Sequence, residues 1–188
     1  MIMTVTKLGA ARSQLIEAIH LFFERRDPVS IHTLVGATLQ ILHDHFQTEG
    51  EVWDASLIFH YDSIYIKDEF RTEWIRSVRE PRNFFKHAEE DLKEGKEYIE
   101  FNIDDNIFQI LEAIHCMKLL EVNNWSYEFR LFFVWFGLNY PHLLKKDDHI
   151  KNFKHISSDD FDYFHNQLKL IQEMPEEVKK FEDGYYQR

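Results

Sequence analysis

The sequence predicts an all-α protein, a single-domain bundle of six or seven helices. Apolar residues recur three and four positions apart over much of the chain, which is the spacing of one buried helix face. The 188 residues include six glycines and four prolines, too few for the many tight turns of a β-sandwich or barrel. A hydrophobic fraction of 44%, with 15% aromatic residues, is enough to build a core at this length.

Two long helices and a shorter one are predicted in the first third of the chain. The first runs from Thr6 to about Arg25, and Asp27-Pro28 ends it because proline lacks a backbone donor. Ser30 is the expected N-cap of the second helix, which buries one apolar face and ends before Gly50. A short helix is expected around Trp53 to Phe59, and the residues that follow it, 61–66, fit a loop or a strand.

Helical spacing is clear again from Lys67 to about Ala88. Pro81 interrupts it, because proline lacks a donor and restricts the residue before it. Either one helix kinks there or a second helix begins with Pro81 in its first turn. Since the apolar stripe continues on the same face, we expect two coaxial or kinked segments. A turn is predicted at Glu94-Gly95-Lys96 and an extended piece from Tyr98 to Phe101.

Three further helices complete the predicted bundle. Asp104 is expected to cap a helix that continues to about Glu121. The most apolar helix is predicted from Trp125 to Tyr140, where the following proline stops it. After a charged loop, Ser157 or Ser158 is the expected cap of the last helix, which places four apolar residues on one side.

The chain is expected to consist of one domain and a tail. No change in composition marks a second domain within residues 1–174, and residues 175–188 form a polar tail. No fixed period recurs, so a solenoid is not expected. The one cysteine, Cys116, excludes an intramolecular disulfide and fits a reducing compartment. No secretory signal and no apolar run long enough for a membrane helix are recognisable, so a cytoplasmic protein without a membrane partner is predicted.

The net charge of the chain is −11 with histidine neutral. Such an acidic protein repels nucleic acid on average, so RNA binding requires a local basic patch. One is predicted between residues 79 and 87. Arg79, Asn83 and His87 fall in one helical stripe there, and Arg82 and Lys86 flank it, while the apolar residues between them face the core. Asn83 and His87 are four positions apart and can form a hydrogen bond that orients the imidazole.

Part of this segment, Arg82-Asn83-Phe84-Phe85-Lys86-His87, resembles the short signature of the HEPN family. That signature is an arginine, a polar residue, three variable residues and a histidine. The fold of the family is an α-helical bundle, often dimeric. Many members are metal-independent ribonucleases of toxin–antitoxin, phage-defence and RNA-processing systems.

The resemblance implies a role for each residue of the basic segment. His87 would be the general acid–base, Arg82 would stabilise phosphate charge, and Asn83 would orient the histidine or contact the RNA backbone. Arg79 and Lys86 would bind substrate. Cleavage by a ribose 2′-hydroxyl needs a proton acceptor with a pKa near neutrality and a cation near the phosphorane oxygens, and these residues can supply both. No metal and no cofactor are implied, and the expected partners are RNA, a second copy of the chain and a protein such as an antitoxin.

Other interpretations stay open. The basic residues can form a solvated helix face, in which case the protein is a non-catalytic interaction or regulatory module. Glu17-Ala-Ile-His20 and Glu112-Ala-Ile-His115 resemble the Glu-x-x-His pairs of ferritin-like metal-binding bundles. However, Glu17 and His20 lie opposite the apolar stripe of their helix. His32, near the start of the second helix, is expected to be a surface histidine, with anion binding as the alternative.

Overall fold

The structure is a computed structural model. Among the residues that it describes, helices are the only regular secondary structure. These residues are 2–48, 79–87, 89–120, 125–143, 151–153 and 155–174. The all-α class predicted from the sequence is confirmed. The predictions for residues 53–59, 61–66 and 175–188 lie outside the described residues.

Seven helical segments and two short 3-10 turns make up the described part of the chain. The helices are α1 (Lys7–Phe23), α2 (Pro28–Thr48), α3 (residues 79–84), α4 (Glu89–Glu94), α5 (Asp105–Leu120), α6 (Tyr127–Asn139) and α7 (Phe161–Glu173). The 3-10 turns are Pro141–Leu143 and Lys151–Phe153. No described helix has the length and apolar character needed to cross a membrane.

The first two helices begin at side chains that cap free backbone N–H groups. The Thr6 hydroxyl accepts a hydrogen bond from the backbone N–H of Gly9 at 3.0 Å, which starts α1 where the sequence predicts it. The prediction that Ser30 caps α2 is wrong. The cap is Asp27, whose carboxylate accepts the backbone N–H of Ser30 at 2.9 Å and its hydroxyl at 2.6 Å. Pro28 then occupies the first helical position, where a missing donor is harmless.

A carboxylate also caps α7. Asp160 accepts a hydrogen bond from the backbone N–H of Tyr163 at 2.9 Å, so the prediction of Ser157 or Ser158 as the cap is wrong as well. Both serines lie just before it, in a short turn. An aspartate both accepts the hydrogen bond and carries a negative charge, which the positive end of a helix favours.

One core joins α1, α2, α5, α6 and α7. Helix α1 packs against α2, α6 and α7, and α2 packs against α5. At one end of α1 the ring of Phe22 lies 4.8 Å from that of Trp135 and 5.4 Å from that of Phe132, in edge-to-face contacts. The ring of Phe23 stacks on that of Phe164 at 5.2 Å. Such pairs contribute about 0.5–1.5 kcal/mol each beyond the burial of their area, so this aromatic group joins three helices.

The chain around Pro81 is helical on both sides of the proline. Residues 79–84 form α3, Pro81 is buried, and its carbonyl accepts the N–H of Phe85 at 2.9 Å. The regular helix ends at residue 84, so the break falls after the proline rather than at it. Further on, Gly95 ends α4 with a φ of 72°, a left-handed conformation that glycine adopts without strain. This is the turn predicted at residues 94–96.

Candidate functional site

Helix α3 lies against α2, and the side chain of Arg82 fills the space between them. A Cβ atom placed on Gly36 of α2 would stand 2.8 Å from Cδ of Arg82 and 3.0 Å from its Cγ. The apolar part of the arginine therefore rests on helix backbone that only a glycine leaves open. Arg82 is half-buried as a result. Of the other predicted site residues, Arg79, Asn83, Lys86 and His87 are all exposed.

The positive charges of Arg82 and Lys86 repel each other. Burial lowers the pKa of Arg82, and the charge of Arg79 lowers it further. Burial also lowers the pKa of Lys86, and the charge of Arg82 adds to that effect. No carboxylate of the described residues forms an ion pair with Arg82 or Lys86. Arg82 is half-buried and Lys86 is exposed. Two neighbouring positive charges without a carboxylate partner among the described residues favour the binding of an anion.

The acid nearest in sequence to this pair is engaged elsewhere. Glu80 accepts a hydrogen bond and ion pair from Lys96, which follows α4, at 2.5 Å. This pairing raises the pKa of Lys96. The charge of Glu80 is thus balanced by Lys96, and the segment of residues 79–87 stays basic in a chain of net charge −11.

His87 lies at the exposed end of the segment, beyond the last regular turn of α3. Its backbone N–H donates to the carbonyl of Asn83 at 2.9 Å, so the two residues keep the helical spacing that the sequence predicts. The hydrogen bond that joins them is this backbone bond, and the predicted bond between their side chains is not formed. The imidazole of His87 therefore faces solvent, where a substrate can reach it.

His32 lies in the interior of the protein. The expectation of a surface histidine is wrong, because His32 is 0% exposed. Its Nδ1 lies 3.0 Å from Oδ1 of Asn106 on α5. The amide nitrogen of Asn106 donates to the carbonyl of Pro28 at 3.0 Å, so its oxygen must face the histidine. That oxygen can only accept, whereas the amide nitrogen of Gln109, 3.4 Å from the same Nδ1, can only donate. The contact with Asn106 is the shorter of the two, and it favours the tautomer with the proton on Nδ1 and the lone pair on Nε2.

That lone pair has no hydrogen-bond partner among the described residues. The ring of His32 lies instead against two aromatic rings, Phe101 at 4.8 Å and Phe85 at 5.6 Å. An unpaired polar atom in such surroundings costs about 1–3 kcal/mol. Burial is the main cause that lowers the pKa of His32, and the charges of Arg82 and Lys86 lower it further, while the bond to Asn106 acts in the opposite direction.

His32 therefore joins the predicted site from its inner side. Its ring contacts that of Phe85, which lies between Arg82 and Lys86 in the basic segment, and the charges of both cations lower its pKa. A signal for its burial is present in the sequence. His32 precedes Val35 by three positions and Leu39 by seven, and both of these residues are buried on the core face of α2.

A separate cavity of about 440 Å³ lies where the end of α1 meets α7. Its lining carries both signs of charge, with Arg25, Arg26 and Lys169 against Glu24 and Asp162. Arg25 adopts a φ of 52°, a left-handed conformation that is strained for a residue with a side chain. None of the predicted site residues lines this cavity.

The two Glu-x-x-His pairs do not meet in a metal site. Within the described ranges, no three His, Cys, Asp or Glu side chains are close enough together to hold a metal ion. Nε2 of His20 instead lies 3.5 Å from the amide nitrogen of Gln172 on α7. Comparison with known proteins adds no further assignment, because no family model, curated protein or solved structure matches this chain.

Proposed function

We propose that this protein is a metal-independent endoribonuclease of the HEPN type that acts on RNA phosphodiesters. The observation that carries the proposal is Arg82, packed on Gly36 of α2, together with the neighbouring charge of Lys86, in a chain of net charge −11. No carboxylate of the described residues neutralises either cation. A phosphate group supplies the charge that this pair lacks. The resemblance of residues 82–87 to the HEPN signature also points to Arg82, together with Asn83 and His87.

In this proposal the residues divide the work of transesterification. His87 exchanges protons with the reacting oxygens: the 2′-hydroxyl loses its proton, and the departing 5′-oxygen gains one. Arg82 stabilises the negative charge that builds up on the phosphorane. Asn83 contacts the RNA backbone, and Arg79 and Lys86 hold neighbouring phosphates. The products are a 2′,3′-cyclic phosphate and a 5′-hydroxyl.

The proposed partners rest on the resemblance to the family alone. We propose a homodimer, in which the exposed side chains of Asn83 and His87 from two copies face a shared cleft. A protein antitoxin that covers the basic segment would control activity. The proposed location is the cytoplasm.

The experiment that tests the proposal is RNA cleavage in EDTA. The purified protein should cut single-stranded RNA and leave cyclic phosphate ends. His87→Ala and Arg82→Ala should each slow cleavage by about 10²-fold or more. His155→Ala is the matched control, since His155 is another exposed histidine, in a turn before α7, and should cut at the parent rate. If a mixed RNA pool stays intact, the interaction module becomes the better interpretation. If both site variants cut at the parent rate, the cleavage comes from another site or from a contaminant, and the assignment to His87 and Arg82 is wrong.

A further inference from the structure

The proposed cleavage reaction does not use the unpaired Nε2 of His32. The two nitrogens of an imidazole point in nearly opposite directions, and Nδ1 is bound to Asn106 on α5. Nε2 therefore points away from α5. The neighbours of the ring besides Asn106 and Gln109 are the rings of Phe85 and Phe101 and the charges of Arg82 and Lys86.

The chemistry of these groups defines the ligand that would satisfy them. A neutral nitrogen with a lone pair accepts a hydrogen bond, so its partner must bring a donor. Arg82 and Lys86 require an anion. A ligand that meets both needs carries a hydroxyl group next to a phosphate. A ribonucleotide has this arrangement, and a deoxyribonucleotide lacks the hydroxyl.

We propose that His32 is a further residue of the same site, whose Nε2 accepts a hydrogen bond from the 2′-hydroxyl of a nucleotide with its phosphate on Arg82 and Lys86. The inference rests on the proposed function for the kind of ligand. It assigns the preference for RNA over DNA to a buried side chain outside the segment of residues 82–87.

Access to Nε2 depends on the rings that cover it. Phe85 follows α3 directly, and its N–H is bound to the carbonyl of Pro81, which fixes its backbone. Phe101 lies in residues 96–102, which form no helix, and its side chain is half-buried. The proposal requires the Phe101 ring to move away from Nε2, and because residues 96–102 form no helix, that movement does not require a helix to unfold.

The proposal is tested by binding rather than by cleavage. The protein with His87→Ala, which prevents turnover, is titrated in EDTA with RNA and DNA oligonucleotides of one sequence. The RNA should bind about tenfold more tightly, the value of one hydrogen bond to a buried acceptor. Adding His32→Asn keeps an amide donor near the position of Nδ1 and removes Nε2. RNA should then bind about as weakly as DNA, whose affinity should not change.

A control variant and a second measurement make the result decisive. Adding His155→Asn in place of His32→Asn should leave the preference for RNA intact. Should His32→Asn fail to fold, the nitrogen NMR signal of His32 Nε2 in the parent protein is followed instead. It should move towards the hydrogen-bonded position with a nucleoside 3′-phosphate and stay in place with the 2′-deoxy compound.

The outcomes separate the two proposals. Equal affinity for RNA and DNA, or a preference that survives His32→Asn, overturns the role of His32 even if the wild-type protein cuts RNA. A preference that depends on His32 without any cleavage by the wild-type protein supports the role of His32 and overturns the ribonuclease. Binding to neither oligonucleotide overturns both.

Discussion

Replacing Gly36 by alanine tests the contact between α2 and α3 on which the proposed site depends. The added methyl group would stand 2.8 Å from Cδ of Arg82, closer than non-bonded carbons approach, so the arginine must leave its place. An alanine at an interior helix position stabilises by about 0.5–1 kcal/mol relative to glycine. Forcing the arginine from a preferred rotamer costs about 0.5–1.5 kcal/mol. The two effects offset, and the free energy of unfolding should change by less than about 1 kcal/mol.

The activity should respond far more than the stability. An arginine displaced by about an ångström no longer meets the phosphorane oxygens, and cleavage should slow by about 10–100-fold. Urea unfolding and single-turnover RNA cleavage measure the two effects on the same samples. The prediction is a variant that is folded, about as stable as the parent, and a poor nuclease.

The Arg82→Ala background supplies the control for this prediction. There the nearest remaining atom of residue 82 is Cβ, 3.9 Å from the new methyl group, an ordinary contact. Gly36→Ala should then yield the full gain of about 0.5–1 kcal/mol, so the double-mutant cycle should show a coupling of about 0.5–1.5 kcal/mol. A gain of the same size in both backgrounds would refute the placement of Arg82 over Gly36, whether or not the protein cuts RNA.

Three further predictions follow from the same packing. The pKa of His32 is lower in the folded protein, so the unfolded state takes up the proton first as the pH falls. The free energy of unfolding should therefore fall below about pH 6.5. His32→Phe should reduce this pH dependence, as measured by urea unfolding at pH 7.5 and 5.5. Asp27→Ala should lower the thermal midpoint more than Ser30→Ala, because the carboxylate and not the hydroxyl caps α2; an equal or reversed order in calorimetry contradicts that assignment. Phe132→Ala should cost about 3–5 kcal/mol in the aromatic core, whereas Leu170→Ala at an exposed position should cost less than about 0.5 kcal/mol.

The sequence predicts the helices well because their apolar spacing is a local property. It does not decide between Asp27 and Ser30 as the cap of α2, since both residue types cap helices and the choice depends on where Pro28 is tolerated. The separation of four positions between Asn83 and His87 in the helical stripe is likewise a local property, and the backbone hydrogen bond between these residues confirms it.

The inner part of the site depends on contacts between distant residues, which periodicity does not report. His32 is buried because Asn106, 74 positions away, supplies an oxygen for its Nδ1. Arg82 is predicted as a site residue, with a solvated helix face as the alternative; in the structure its apolar stem packs on Gly36, 46 positions earlier in the chain. The residue pattern of one helix does not show that a glycine in another helix leaves space for the side chain of Arg82.

The amide of Asn106 affects the charge of the buried His32. An aspartate there would differ from asparagine by the exchange of one NH₂ group for oxygen. It would place a negative charge 3.0 Å from Nδ1 of His32, and a carboxylate at that distance favours the imidazolium form. Nε2 of His32, which now has a lone pair, would carry a proton in that imidazolium form. Burial lowers the pKa of His32, and the uncharged amide of Asn106 opposes that effect less than a carboxylate would.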